Sequence, residues 1–224
     1  MTAPLARRAG AEGLGTGLLL ATVVGSGIMA SRLADGNDAV ALLANALATG
    51  AGLIVLITVM GPLSGAHFNP IVSLVEGFRG RLAWPAVAVY ILVQVAGAAV
   101  GVVVAHGMFG LSLWQVSAHG RAEPGQWFSE VVATFGLLVT ILGSERRCPE
   151  RTPALVGMYI VAAYWFTAST SFANPAVTLA RTMTDTFAGI RPVDAPGFIA
   201  AQLVGGAVAA LLWPRLDPAP SETP

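Results

Sequence analysis

Two short stretches, Ser64-Gly-Ala-His67-Phe-Asn69-Pro70-Ile71 and Ser171-Phe-Ala-Asn174-Pro175-Ala176, carry the residues whose type and spacing can do chemistry. Asn is a preferred helix N-cap, and Pro suits the first helical position because its missing amide hydrogen is not needed there. Each Asn-Pro therefore predicts the start of a helix. The carboxamides of Asn69 and Asn174 hold N–H groups able to donate to a passing hydroxyl, and a helix N-terminus adds a positive field. That combination handles a neutral polar solute and repels cations. Covalent chemistry is not predicted. His67 has no nucleophile or orienting partner in view and reads as packing or touching solute. No catalytic pair, metal triad or cofactor loop accompanies it, so no catalytic residue, metal or cofactor is expected.

The flanking segments set the depth at which these helices start. Of 224 residues, 55% are hydrophobic and 11% charged, with a mean hydropathy of +0.71, which predicts an integral membrane protein. The net charge is zero and no basic stretch alternates with aromatics, which argues against nucleic acid as a partner. Cys148 is the single cysteine, so an intramolecular disulfide and a cysteine-based metal cluster are excluded, and it reads as an inert thiol. Apolar segments run from 9 to 30, 40 to 63, 82 to 106, 125 to 142, 153 to 168 and 196 to 213. A bilayer core takes about 20 helical residues, so six spans are expected. Arg7 and Arg8 ahead of the first span resemble the start of a secretory signal, but no convincing small-residue cleavage site follows. Residues 64–78 and 169–183 are apolar yet too short to cross. Irregular backbone at membrane depth is tolerated only where it is buried in protein or lines a cavity, so two half-helices meeting tip to tip predict a pore.

The two halves repeat one another. Tyr90-Ile-Leu-Val-Gln94 reads against Phe198-Ile-Ala-Ala-Gln202 at nearly the offset of the two Asn-Pro motifs, and Glu12 and Glu130 each open the first helix of a half. Three spans per copy is an odd number, so the second copy enters from the opposite side and the repeat is inverted. The fold expected is an all-α membrane protein of six transmembrane helices and two re-entrant half-helices in a 3+3 repeat. The first repeat takes 1–107 with a half-helix over 69–78, a connection takes 108–124, and the second repeat takes 125–213 with a half-helix over 174–183. A Pro-rich disordered tail is expected over 214–224.

Orientation follows from the cations, all of them Arg. With the N-terminus inside, Arg7, Arg8, Arg79, Arg81, Arg146, Arg147, Arg151 and Arg215 lie in the cytoplasm, against Arg32, Arg121, Arg181 and Arg191 outside. This asymmetry predicts a multi-pass protein of the cytoplasmic membrane with both termini in the cytoplasm. Trp84, Trp127, Trp165 and Trp213 fall near span ends, as an interfacial belt requires. Gly13 with Gly17, and Gly97 with Gly101, have the spacing that lets helices approach closely.

Six spans, two half-helices, SGAHFNP, FANPAV and a Glu opening each half together resemble the aquaporin or major intrinsic protein family over nearly the whole chain. The resemblance implies a homotetramer with one pore per subunit and passive flow of water or small uncharged solutes. It places Asn69, Pro70, Ile71, Asn174, Pro175 and Ala176 at the pore centre, with Ile71 where Ala is usual, a change expected to narrow the midpoint or shift the packing of the tips. It also implies that Glu12 and Glu130 brace the loop backbone. In the family an Arg normally follows the second motif, and here that position is Val177. Ungapped family spacing puts the other three filter positions on Thr49, Ala162 and Ser171, which predicts a wide, uncharged filter. Such a filter resembles that of bacterial members suited to glycerol or to arsenous acid.

Two alternatives accompany this reading: an ordinary water channel, and a proton-coupled transporter using Glu12 or Glu130, since intramembrane carboxylates are often functional. Arg181 lies one helical turn beyond Val177. The favoured expectation is a surface pair with Asp185, four residues on, and the other is a positive charge at the outer mouth replacing the filter Arg. His106 and His119 fall near loops.

Overall fold

A computed structural model describes residues 3–217. The described chain is helical throughout its spans: α1 (Leu5–Leu33), α2 (Asp38–Ser64), α3 (Pro70–Phe78), α4 (Trp84–Met108), α5 (Pro124–Arg147), α6 (Thr152–Phe166), α7 (Pro175–Arg181) and α8 (Ala195–Leu216), with one 3-10 turn at Pro149–Arg151. Five of these helices are long and apolar enough to cross a bilayer. The sixth, α6, has 15 residues, about 22 Å at 1.5 Å per residue, and is the shortest of the six long elements.

Local signals account for where the helices begin and end. Asn37 caps α2 by accepting from the Val40 amide at 3.2 Å, and Gly65 stops it in the left-handed region at φ 94°. Glu123 and Gln126 form a capping box at the start of α5. The two halves then pack as sequence symmetry demands: α1 lies between α2 and α4, α5 lies between α6 and α8, and α2 against α6 joins them. Small residues make the closest crossings. A Cβ on Gly97 would fall 2.1 Å from the Gly13 carbonyl oxygen, and one on Gly101 would fall 2.1 Å from that of Gly17. The counterpart seam between the halves is Gly50 against Gly157, where an added Cβ would meet backbone oxygen at 2.9 and 2.6 Å.

Helix order places the start of α1 and the end of α8 on one face, here the termini face. Arg146 and Arg147 both reach Asp217 there, at 3.1 and 3.2 Å. The disorder expected from 214 is therefore not found over residues 214–217. Residues 214–216 complete the last turn of α8 and Asp217 is held by two guanidinium groups, while 218–224 lie outside the described residues.

Candidate functional site

The half-helices α3 and α7 start where the Asn-Pro motifs predict. Asn69 and Asn174 are their N-caps, with Pro70 and Pro175 in the first turn. The Asn69 Oδ1 accepts from the Ile71 amide at 2.9 Å, and the Asn174 Oδ1 accepts from Ala176 at 3.0 Å and Val177 at 3.3 Å. With its oxygen spent on capping, each carboxamide points its nitrogen across the midline. Asn69 Nδ2 donates to the Ala173 carbonyl and Asn174 Nδ2 to the Phe68 carbonyl, both at 2.8 Å. A carboxamide nitrogen carries two hydrogens, so each Asn keeps one for the lumen, which both residues line.

The backbone entering each half-helix is held in conformations that L-residues rarely adopt. Ala66 and Phe68 have φ of 50° and 48°, and Thr170, Ser171 and Ala173 have 61°, 50° and 48°. Glu12 and Glu130 are the reason these loops stay in place. Glu12 Oε1 accepts from Ser64 Oγ (2.6 Å) and the His67 amide (2.9 Å), and its Oε2 accepts from the Phe68 amide (2.7 Å) and Gln94 Nε2 (2.8 Å). Glu130 accepts from the amides of Phe172 and Ala173, both at 2.8 Å, and from Gln202 Nε2 at 2.6 Å. The symmetry extends to the second partner of each glutamine, Ser73 for Gln94 at 3.0 Å and Thr178 for Gln202 at 2.8 Å. Both carboxylates are fully buried and committed to these donors. They brace the two strained loops that enter the half-helices.

A cavity runs from the termini face, where Ile141, Glu145, Thr152 and Val156 line it, past Asn69 and Asn174, to Thr49, Tyr164, Ser171, Val177 and Arg181 on the far side. At the termini face Glu145 takes a hydrogen bond from Arg81 at 2.9 Å, and Arg79 bonds Glu76 at 2.5 Å. His67 also faces the lumen, with Nδ1 3.0 Å from Ser73 Oγ and its ring edge-on to Tyr90.

Three of the four expected filter residues, Thr49, Ser171 and Val177, line this cavity, and Ala162 does not. Ala162 is exposed on the outward face of α6, whose buried positions are Val156, Gly157, Ile160, Ala163 and Tyr164. Residue 162 stands about 200° round the helix from Ile160, so it cannot share that face. Tyr164 occupies the place assigned to Ala162, its hydroxyl 3.3 Å from Thr49 Oγ1. The i, i+3, i+4 spacing of 156, 157, 160, 163 and 164 was the signal that identifies Tyr164.

Of the two effects expected of Ile71, narrowing the midpoint or shifting the packing of the tips, the first is not found. Ile71 is buried against α8, where a Cβ on Gly206 would meet its Cγ2 at 2.4 Å, and packs with Leu138 and Ala209. Ile71 therefore does not narrow the lumen. Pro70, Pro175 and Ala176 are likewise buried behind the pore wall, and the two Asn side chains alone of the six motif residues line it.

The favoured partner for Arg181 is overturned. Arg181 ends α7 and Thr182 caps it, so the helical geometry that would bring Asp185 alongside does not continue. Asp185 instead accepts from the Ala118 amide at 2.9 Å and sits 3.9 Å from His119 Nε2. Arg181 turns inward with 2% exposure, its Nε donating to the Ala188 carbonyl and its guanidinium carbon 3.4 Å from the centroid of the Phe172 ring. Such stacking contributes about 0.5–2 kcal/mol. A second guanidinium, Arg121, lies 5.0 Å from the same centroid and donates to the carbonyls of Gly189 (2.9 Å) and Ser169 (3.2 Å). His106 is buried, with its Nε2 2.8 Å from Thr184 Oγ1, and acts as a strut beneath the loop after α7.

Two half-helices that start tip to tip, their cross-tied Asn caps and a cavity lined by both define a channel. The family model for major intrinsic proteins matches residues 1–171, and the chain belongs to that family. It is 58% identical over 217 residues to the aquaglyceroporin AqpS of Rhizobium meliloti (strain 1021), a match covering 96% of this chain and 92% of that one. It is 31% identical over 128 residues to the glycerol uptake facilitator protein of Bacillus subtilis (strain 168), across 50% of this chain and 46% of that protein. The X-ray structure of the aquaglyceroporin from Plasmodium falciparum superposes with a TM-score of 0.77 over 96% of this chain and all of that one (100%), at 22% identity, a likeness of fold. The protein is a multi-pass membrane channel for water and small solutes and not an enzyme. Neither alternative is favoured: the carboxylates a proton-coupled transporter would use are the loop braces, and the relatives are solute channels.

Proposed function

We propose that this channel passes neutral polyhydroxylated solutes larger than water, with glycerol and arsenous acid as representatives. Both are uncharged at neutral pH and present hydroxyls in a compact arrangement. The observation that carries the reading is Val177, which lines the lumen directly after the second Asn-Pro-Ala and replaces a cation with an apolar wall. A solute with a hydrocarbon or metalloid side and a hydroxyl side is matched by Val177 and Phe172 on one hand and by hydroxyls of Thr49, Tyr164 and Ser171 on the other. Names of the relatives, an aquaglyceroporin and a glycerol uptake facilitator, support the same solute class.

The assembly that fits this reading is a homotetramer in the cytoplasmic membrane, one pore to a subunit, with both termini in the cytoplasm. Support for the orientation comes from the Arg excess on the termini face, where Arg79, Arg81, Arg146, Arg147 and Arg215 gather. The test is stopped-flow light scattering of proteoliposomes challenged in turn with sucrose, glycerol and arsenous acid. Glycerol and arsenous acid fluxes well above those of empty vesicles support the assignment. Water flux alone would refute it.

A further inference from the structure

Glu145 occupies a place in the lumen that the bracing of the half-helices does not explain. It lies near the end of α5, lines the cavity at the termini face and keeps its side chain 35% exposed. Every protein hydrogen bond of its carboxylate falls on Oε2, from Arg81 Nη1 at 2.9 Å and Arg79 Nη1 at 3.4 Å, and among the described residues Oε1 accepts none. The same two guanidinium groups also face Glu76 in the last turn of α3, Arg79 at 2.5 Å and Arg81 at 3.9 Å. Ion pairs this exposed contribute little to stability. Their effect is to fix one carboxylate oxygen and leave the other to the lumen. Thr152, the first residue of α6, lines the same end of the cavity, and its Oγ1 is buried with no protein partner.

The pore centre shows what such an acceptor is for. Asn69 and Asn174 offer N–H groups there, which satisfy the oxygen of a hydroxyl but not the hydrogen it has to give. Water can give that hydrogen to the next water in file, whereas a polyol that fills the lumen must give it to the wall. We propose that Glu145 is the hydroxyl-accepting residue of the inner mouth, its free Oε1 acting with the Thr152 hydroxyl to favour polyols over water at that end. This rests on the solute class proposed above and names the residue that accepts from it. Ile141 and Val156 line the same stretch and receive the hydrocarbon side of the solute. A hydrogen bond to an ionised group is about twice as strong as a neutral one, yet a channel must also release what it binds. Arg79 and Arg81 reconcile the two demands. They engage the other oxygen, draw down the charge of the carboxylate and, with Glu76, leave the four side chains no net charge with which to collect cations.

Substitutions on the two sides of the ion pair separate solute contact from a structural clamp. In proteoliposomes at matched protein density, Glu145→Leu should lower the glycerol-to-water permeability ratio roughly fivefold, the worth of one hydrogen bond. Glu145→Gln keeps one carbonyl oxygen and should lower it less. Arg81→Gln leaves Arg79 on the carboxylate and makes Oε1 the stronger acceptor, so the ratio should rise. An unchanged ratio in Glu145→Leu would overturn the proposal, and so would equal falls in Glu145→Leu and Arg81→Gln, the mark of a clamp. Thr152→Val deletes a hydroxyl with no protein partner, puts folding at no risk, and decides the matter where Glu145 variants fail to insert: its ratio should fall severalfold, and a wild-type ratio counts against the site. Wild-type vesicles report on the solute class separately. Absence of glycerol flux there sinks that assignment and the site with it, whereas wild-type glycerol flux with indifferent variants sinks the site alone.

Discussion

Asn69 and Asn174 each hold the other's loop: the carboxamide of one donates at 2.8 Å to the carbonyl just before the other, Ala173 for Asn69 and Phe68 for Asn174. The same two side chains cap their own half-helices through their oxygens. Each therefore fixes the start of one helix, the approach to the opposite one, and the direction of the remaining N–H. The pore centre is a reciprocal pair of amides, and neither half can form it alone.

Asn174→Asp removes that reciprocity. A carboxylate still caps Ala176, but it has nothing to donate to the Phe68 carbonyl and places a negative charge in the lumen. Glycerol flux should fall about tenfold, the worth of one buried hydrogen bond with a repulsive contact in its place, and cation exclusion should weaken. Solute flux and conductance measured on reconstituted protein check both. Wild-type flux together with intact cation exclusion would remove Asn174 from the pore.

Glu130→Gln tests whether the carboxylate braces or transports. A carboxamide has one acceptor oxygen and cannot take the Phe172 amide, the Ala173 amide and Gln202 Nε2 together, so at least one buried donor is orphaned, at a cost of about 1–3 kcal/mol. The left-handed backbone at Ser171 and Ala173 then loses its tether. The variant should unfold at lower temperature in detergent and conduct poorly, with Glu12→Gln behaving alike. A Gln variant as stable as the wild type that continues to exchange solute without protons would instead mark Glu130 as a coupling group.

Much of this architecture is legible in sequence because it depends on residues whose constraints are local. Asn and Pro announce a helix start wherever they fall, and Gln94 against Gln202 gives away the repeat because each serves the carboxylate of its own half. The contribution of α6 to the cavity wall is less legible because counting back from Asn174 takes no account of which face of that helix is turned inward. Side-chain periodicity corrects the count: Ala162 is on the wrong face and Tyr164 on the right one. Arg181 escaped for a different reason. The i+4 pairing with Asp185 presumes a helix that continues, and α7 stops at Arg181 itself.

Orientation can be read with the single thiol. Cys148 caps the end of α5 on the termini face, beside Arg146 and Arg147. A maleimide that does not cross membranes should leave Cys148 unlabelled in intact cells and label it after permeabilisation. Labelling of intact cells to the same extent would reverse the orientation.

Val177→Arg places a second guanidinium in the lumen one turn from Arg181, opposite Thr49 and Tyr164. The added side chain occupies space while offering donors that water accepts readily. Glycerol and arsenous acid fluxes should drop more than water flux, measured at matched protein density. Equal passage of the larger solutes in variant and wild type would show that Val177 does not face the constriction.

The central claim is that the lumen between the two half-helices conducts a neutral polyol passively. Glycerol influx into proteoliposomes, followed by stopped flow over a wide range of glycerol concentration with and without an imposed proton gradient, measures this directly. A channel gives initial rates linear in concentration and the same in both conditions. Saturating rates that collapse when the gradient is dissipated would contradict it.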